Sequence, residues 1–208
     1  MENYADILFV DDVRTLQEQE GTAQKYKDFY PKRTKESLDD ADREFIVSRE
    51  SFYIASVSTS GWPYVQHRGG PAGFLKVIGD NRLGFNDCPG NRQFITMGHA
   101  TRENRVALFL MDYERRARLK LLGRLSMQHA AEVAPELRDQ LATPGQAPAE
   151  RVAIIDIVAI DWNCPKYIPQ MIGIEKINRL FESQLRQLTQ ENESLKAQLE
   201  KLRNSGDP

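Results

Sequence analysis

Two short stretches hold the side chains best suited to chemistry, Tyr64-Val-Gln-His-Arg-Gly-Gly-Pro-Ala-Gly-Phe-Leu-Lys76 and Gly90-Asn-Arg-Gln-Phe94. Arg68 and Arg92 each supply a planar guanidinium fork that matches phosphate oxygens, and Lys76 supplies a point charge. Gly69, Gly70 and Gly73 let backbone N–H groups come close to a ligand. This combination points to a phosphorylated small molecule. Both arginines adjoin glycine-rich turns and read as ligands rather than surface charges. His67 reads equally as a ligand contact or a hydrogen-bonded strand histidine, and Lys76 equally as a ligand or a solvent-facing cation. Cys88 and Cys164 read as small packing residues, and Glu114, Arg115 and Arg116 as a solvated turn. The three histidines, at 67, 99 and 129, have no Cys or His at metal-ligand spacing, so no metal site is expected. No Ser/His/Asp arrangement, paired-carboxylate motif or P-loop competes.

The elements that must position these residues are mostly strands. Ser51–Ser58 and Tyr64–Arg68 flank the turn Thr59-Ser-Gly-Trp-Pro63 as a hairpin. A second hairpin joins Phe74–Ile78 to Leu83–Asn86. Arg105–Asp112 and Arg118–Met127 are longer strands around a charged turn, and Arg151–Ile160 is a β-branched, mostly buried strand. Short helices are predicted over Asn91–His99 and Glu132–Gln140. Another helix leads into Phe45 and Ile46, with Ser37 and Asp40 at capping-box spacing. Thr15–Tyr30 reads as a helix and a loop. Six or seven strands in meander-like order, with little helix between them, predict a mainly β (α+β) fold: a small antiparallel barrel.

The chain has 208 residues, 40% hydrophobic and 28% charged, which suits one good core and an appendage. A net charge of −2 offers no general attraction for nucleic acid. Two cysteines fit a reducing cytoplasm, and the acidic N-terminus does not read as a signal peptide. No apolar run is long enough for a membrane span.

From Met171 to Arg203 the pattern changes to heptads. Ile174, Phe181, Leu188, Leu195 and Leu202 fall at position d, and Met171, Asn178, Leu185, Asn192 and Leu199 at position a. Leucine at d with asparagine at a is the pattern of parallel two-stranded coiled coils. Glu191 at g and Lys196 at e form an attractive pair across such a coil. Ser205–Pro208 is expected to fray. The organisation expected is an extension over 1–36, a barrel domain over 37–170 and a coiled-coil helix over 171–204.

Residues 50–165 resemble the pyridoxamine 5′-phosphate oxidase-like family of FMN-binding split β-barrels. The resemblance is carried by YVQHRGGPAGFLKV, LGFNDCPGNRQF, RVALFLMDYERRARLKLLGR and IDWNCPKYI, in family order and spacing. It implies a six-stranded antiparallel split barrel with flanking helices, in a homodimer with FMN at the protomer interface. By motif it assigns Arg68 and Lys76, beside His67 and Gly69, to the first flavin-binding strand pair. Asn86 and Asp87 fall along the isoalloxazine edge, and Asn91 and Arg92, followed by Gln93, at the phosphate. Arg118 falls at the pyrimidine end, and Trp162, Asn163 and Lys166 on the closing segment. A helix start at Asn91 and Arg92 would favour phosphate by itself.

Two departures narrow the function. The substrate-binding Arg and His tract of vitamin B6 oxidases is absent, and no histidine follows His129, as haem-degrading relatives need. The expectation is an FMN-dependent oxidoreductase acting on a small organic substrate, with a nicotinamide as electron donor. The alternatives are a non-catalytic FMN-binding or sensing dimer and a deazaflavin-dependent reductase on the same fold. Neither nucleic acid nor membrane is expected as a partner.

Overall fold

The computed structural model describes residues 1–162 and 165–204, so the expectations for Asn163, Cys164 and Ser205–Pro208 lie outside the described residues. The chain forms two compact units. One comprises residues 1–112 and 116–168, the other Tyr113–Arg115 with the segment from Pro169 onward.

The first unit is built on one antiparallel sheet of seven strands: β1 (Ser51–Val57), β2 (Pro63–Gly69), β3 (Lys76–Val77), β4 (Arg82–Asp87), β5 (Arg105–Asp112), β6 (Ala117–His129) and β7 (Arg151–Trp162). They lie in the order β2-β1-β5-β6-β7-β4-β3. The seventh strand, β3, has only two residues. Period-two alternation sends Phe52 and Ile54 of β1, and Val106, Leu108 and Leu110 of β5, to one side, where they are fully buried. β7 is apolar on both faces and buried along most of its length. Phe52 on β1 meets Phe85 on β4 at 5.5 Å, although three strands separate them in the sheet. The sheet therefore curls around a common core, while its edges β2 and β3 stay unpaired with each other among the described residues. Each large side chain buried there contributes about 1.5–3 kcal/mol.

Two glycines are required by close approach. At Gly123, beside the register shift between β6 and β7, a Cβ would come within 2.6 Å of Ile155 and 2.9 Å of the Asp156 carbonyl. At Gly70 a Cβ would stand 2.8 Å from the ring of Phe74, which stacks on Phe52.

Helix α4 (Asp40–Val47) plugs the core with Phe45 and Ile46. Its capping box is formed by Asp39 and Asp42 rather than Ser37 and Asp40. Either carboxylate can accept a backbone N–H, and Asp39 is the one at the turn into the helix. Before it, residues 1–36 form three short helices, α1 (Tyr4–Leu8), α2 (Asp11–Gln19) and α3 (Ala23–Phe29), rather than one. Only Ala5 is buried within them. They hold together through Phe9, whose ring meets Tyr26 at 5.8 Å and Tyr30 at 5.2 Å. The Glu2 N–H donates to the Val158 carbonyl on β7 at 2.7 Å.

Two further short helices, α5 (Ile95–Ala100) and α6 (Pro135–Leu141), flank the sheet. The second unit is dominated by α7 (Ile174–Asn204), a helix of 31 residues. Lys176 near its start pairs with Glu114. No described helix is long and apolar enough to cross a membrane.

Candidate functional site

A cavity of about 220 Å³ opens where β2, β4 and β7 meet the loop before α5. Alternation along β2 turns Gln66 and Arg68 toward it and His67 away. Arg68 Nη1 donates to Asp87 Oδ1 at 2.5 Å. From the start of β7 comes Arg151, whose Nη1 lies 3.1 Å from Glu150 Oε2 and 4.0 Å from Asp87 Oδ2. The Arg151 guanidinium also lies over the Phe94 ring, 4.7 Å from its centroid. Arg92 Nη2 donates to Glu150 Oε1 at 3.2 Å and remains mostly exposed. Three guanidinium groups thus share two carboxylates, which leaves the cavity positively charged.

Arg68 Nε and Arg151 Nε are buried without a hydrogen-bond partner. Burying a charged donor unpaired is costly, so both are suited to an anionic acceptor. Thr96 Oγ1, also buried, donates to Gln66 Oε1 at 2.8 Å and fixes that side of the wall. The Cys88 thiol is pushed up by burial and by the Asp87 carboxylate, with Arg68 only partly opposing, which keeps it protonated. Its Sγ contacts the Ala147 carbonyl at 3.2 Å, as a packing residue would.

The helix expected over Asn91–His99 begins only at Ile95. Asn91 and Arg92 therefore lie on a loop and not at a helix start, and no helix N-terminal N–H groups stand beside them. Arg92 and Phe94 both adopt left-handed backbone, φ 59° and 54°, and the Asn91 side chain takes the Gln93 N–H at 3.1 Å. That local turn competes with helix and delays it. Within the loop, Asn91, Arg92 and Phe94 line the cavity, and Gln93 is exposed.

The other sequence-predicted residues are dispersed within the chain. Asn86 donates to the Leu141 carbonyl at 3.2 Å, beside the cavity wall. Gly69 ends β2 and Lys76 sits half-buried on β3, neither lining the cavity. His67 lies on the outer sheet face, its ring 5.5 Å from Tyr53. Arg118 is on the same outer face, its guanidinium 5.7 Å from the Phe109 ring. Trp162 points elsewhere, donating from Nε1 to Asp42 at 2.6 Å and packing edge-on against Phe45. It borders a second cavity of about 270 Å³ with Tyr4, Tyr30 and Asp161, so residues 1–36 cover the end of β7. Lys166 is exposed beside Tyr167.

Sequence reasoning missed Arg151 and Glu150. Their one signal was a charged pair at the start of a mostly apolar strand.

A split antiparallel barrel with an arginine-lined cavity at its edge defines a class of fold and site. The sequence model described as pyridoxamine 5′-phosphate oxidase matches residues 38–162, more than half of the chain, and the chain belongs to that family. Among curated proteins no sequence matches the chain. Solved structures resemble the chain at low identity. HupZ of Group A Streptococcus is 14% identical over 65% of this chain and 100% of its own, with a TM-score of 0.49. A pyridoxamine 5′-phosphate oxidase-like protein of Lactobacillus delbrueckii is 16% identical over 60% and 93%, with a TM-score of 0.46. An FMN-binding protein of Syntrophomonas wolfei is 14% identical over 70% and 97%, also with a TM-score of 0.46. Likeness at this level assigns no ligand.

Proposed function

We propose that this protein is an FMN-binding oxidoreductase acting on a small organic substrate, as a homodimer. The observation that carries the proposal is the pair of buried, unpartnered guanidinium nitrogens, Arg68 Nε and Arg151 Nε, in one cavity with the exposed Arg92. A phosphate monoester is a dianion with three acceptor oxygens, and guanidinium forks bind such oxygens in pairs. The residues present therefore fit the phosphate end of FMN. Asp87 and Glu150 hold the arginine forks in place before ligand arrives, which lowers the cost of ordering them on binding. Bound FMN supplies two-electron redox chemistry; the chain's part is binding, orientation and electrostatics.

The dimer is supported by the outer sheet face. Tyr53, Val57, Val65 and His67 are exposed there around a half-buried Phe109, an apolar surface suited to a second copy. The cavity of about 220 Å³ is also small for a whole cofactor, since sites for ligands of this size span roughly 300–1,000 Å³. The rest of the cofactor would lie outside it, and His67 and Arg118 lie on the outer face that a second copy would cover.

The test is titration of the purified protein with FMN, followed by flavin fluorescence, alongside the Arg92→Ala variant. Wild type is expected to bind. The variant should lose about tenfold in affinity, the weight of one charge-assisted contact. An absence of binding to wild type would overturn the FMN assignment. Bleaching of the flavin bands by anaerobic NADPH is expected of an oxidoreductase; bands that persist with every reductant would leave a binding protein without turnover.

A further inference from the structure

We propose that α7 forms a parallel, in-register, two-stranded coiled coil with the α7 of a second copy of this chain. The proposal stands independently of the flavin reading. It begins from an apolar seam left exposed among the described residues. Ile174, Phe181, Leu185, Leu188, Leu195 and Leu199 each keep more than half of their surface exposed and fall at positions a and d, while Leu180, similarly exposed, falls at c. Helical stability in water comes chiefly from burying such a seam. Over 31 residues the helix runs roughly 45 Å, enough for four heptads.

The occupant is identified by the polar positions within the seam. Asn178 and Asn192 sit at a, fourteen residues apart. In a parallel coil in register, each asparagine faces its own copy, and both amides are satisfied across the axis. A slip of one heptad places both opposite leucine or beyond the seam. A slip of two matches one asparagine and strands the other. In an antiparallel coil a faces d′, so each amide meets a large apolar residue and is buried unpaired. A partner of different sequence would need asparagines at the same spacing, which a second copy has by identity. The charges agree: Glu191 at g faces Lys196 at e′ only in the parallel arrangement.

The experiment uses the full chain with Cys88→Ser and Cys164→Ser as background. Phe181→Cys and Leu195→Cys each place a thiol at d, and Ser183→Cys places one at the outward position f. After mild oxidation and non-reducing electrophoresis, the monomer band is expected to disappear for both d variants and to persist for the f variant. Paired d residues of a parallel coil lie within disulfide reach. The two d sites are about 21 Å apart along the helix, so an antiparallel pair crossing once cannot link both. Linkage at one d site alone, or no more linkage at d than at f, would overturn the proposal. Asn192→Leu gives a second readout: sedimentation should show a mixture of oligomers where the parent shows one species, and an unchanged single species would remove the asparagines' role in choosing the partner.

Discussion

Two clusters of charge lie within the first unit, and they are wired differently. Around Asp42 every polar group has a partner. Its carboxylate is fully buried and accepts from Trp162 Nε1 at 2.6 Å, Lys35 Nζ at 2.7 Å and the Asp39 N–H at 3.1 Å. Around Arg68 and Arg151, two buried Nε atoms have none. Both clusters contain cations and carboxylates at the end of a strand, and both border a cavity. The difference lies in what remains unsatisfied. A closed network holds the fold together, whereas one left open on the donor side is ready for an anion.

Asp42→Ala tests that contrast most severely. It strands the indole N–H of Trp162 and removes the Asp42 half of the α4 capping box, and should cost about 3 kcal/mol of stability in urea unfolding. A loss below about 1 kcal/mol would show that the network is not what holds α4 to β7. Arg68→Met is the complementary variant. It should weaken FMN binding by about tenfold to a hundredfold while costing less stability than Asp42→Ala. If both variants lose stability alike and neither changes affinity, the two clusters do the same job.

Acid and base sharpen the comparison further. The Lys35 hydrogen bond, with the Asp42 N–H, holds the Asp39 carboxyl below the usual carboxylate range. Its contribution is therefore present above that ordinary range and is lost as pH falls through the lower folded value. Burial pulls the Lys35 ammonium down, but its bonds to Asp39 and Asp42 outweigh burial and raise it overall. That contribution is present below the ordinary lysine range and disappears as pH rises through the raised value. Lys35→Met should flatten both limbs of the stability–pH curve, and unchanged limbs would contradict the pairing. The smallest effect expected is at Tyr4, whose hydroxyl is pushed up to about 12 by burial and by Asp161. Burial and Asp161 raise Tyr30 as well, so ultraviolet titration should show late tyrosinates of which Tyr4→Phe removes one, together with stability lost between the ordinary value of 10 and about 12.

Much of this was legible in the sequence, for reasons that differ by residue. Strands such as β1 announced themselves by a run of aromatic and β-branched residues, SFYIASV, which suits a pleated, half-buried surface. Arg68 and Arg92 were found through their neighbouring glycines, although Gly70 serves Phe74 and the core. The start of α5 was misplaced because Arg92 and Phe94 adopt left-handed backbone without the glycine that usually advertises it. Arg151 escaped notice because a charge at the start of a mostly apolar strand reads as a solvated end. Only the pairing of β4 with β7 brings it to Asp87. The helices of residues 1–36 were blurred because they bury almost nothing, so no stripe marks them.

That β4–β7 pairing has a consequence for how the protein is made. In the hairpin of β5 and β6, Asp112 faces Ala117 across a short turn. Asp87 faces Arg151 at the far end of a loop containing α5, β5, β6 and α6. Closing so long a loop is the slower event, because its entropy must be lost before any contact repays it. The arginine cavity therefore waits on this long-range closure, and a chain still emerging from synthesis has no complete anion site until Arg151 has been made.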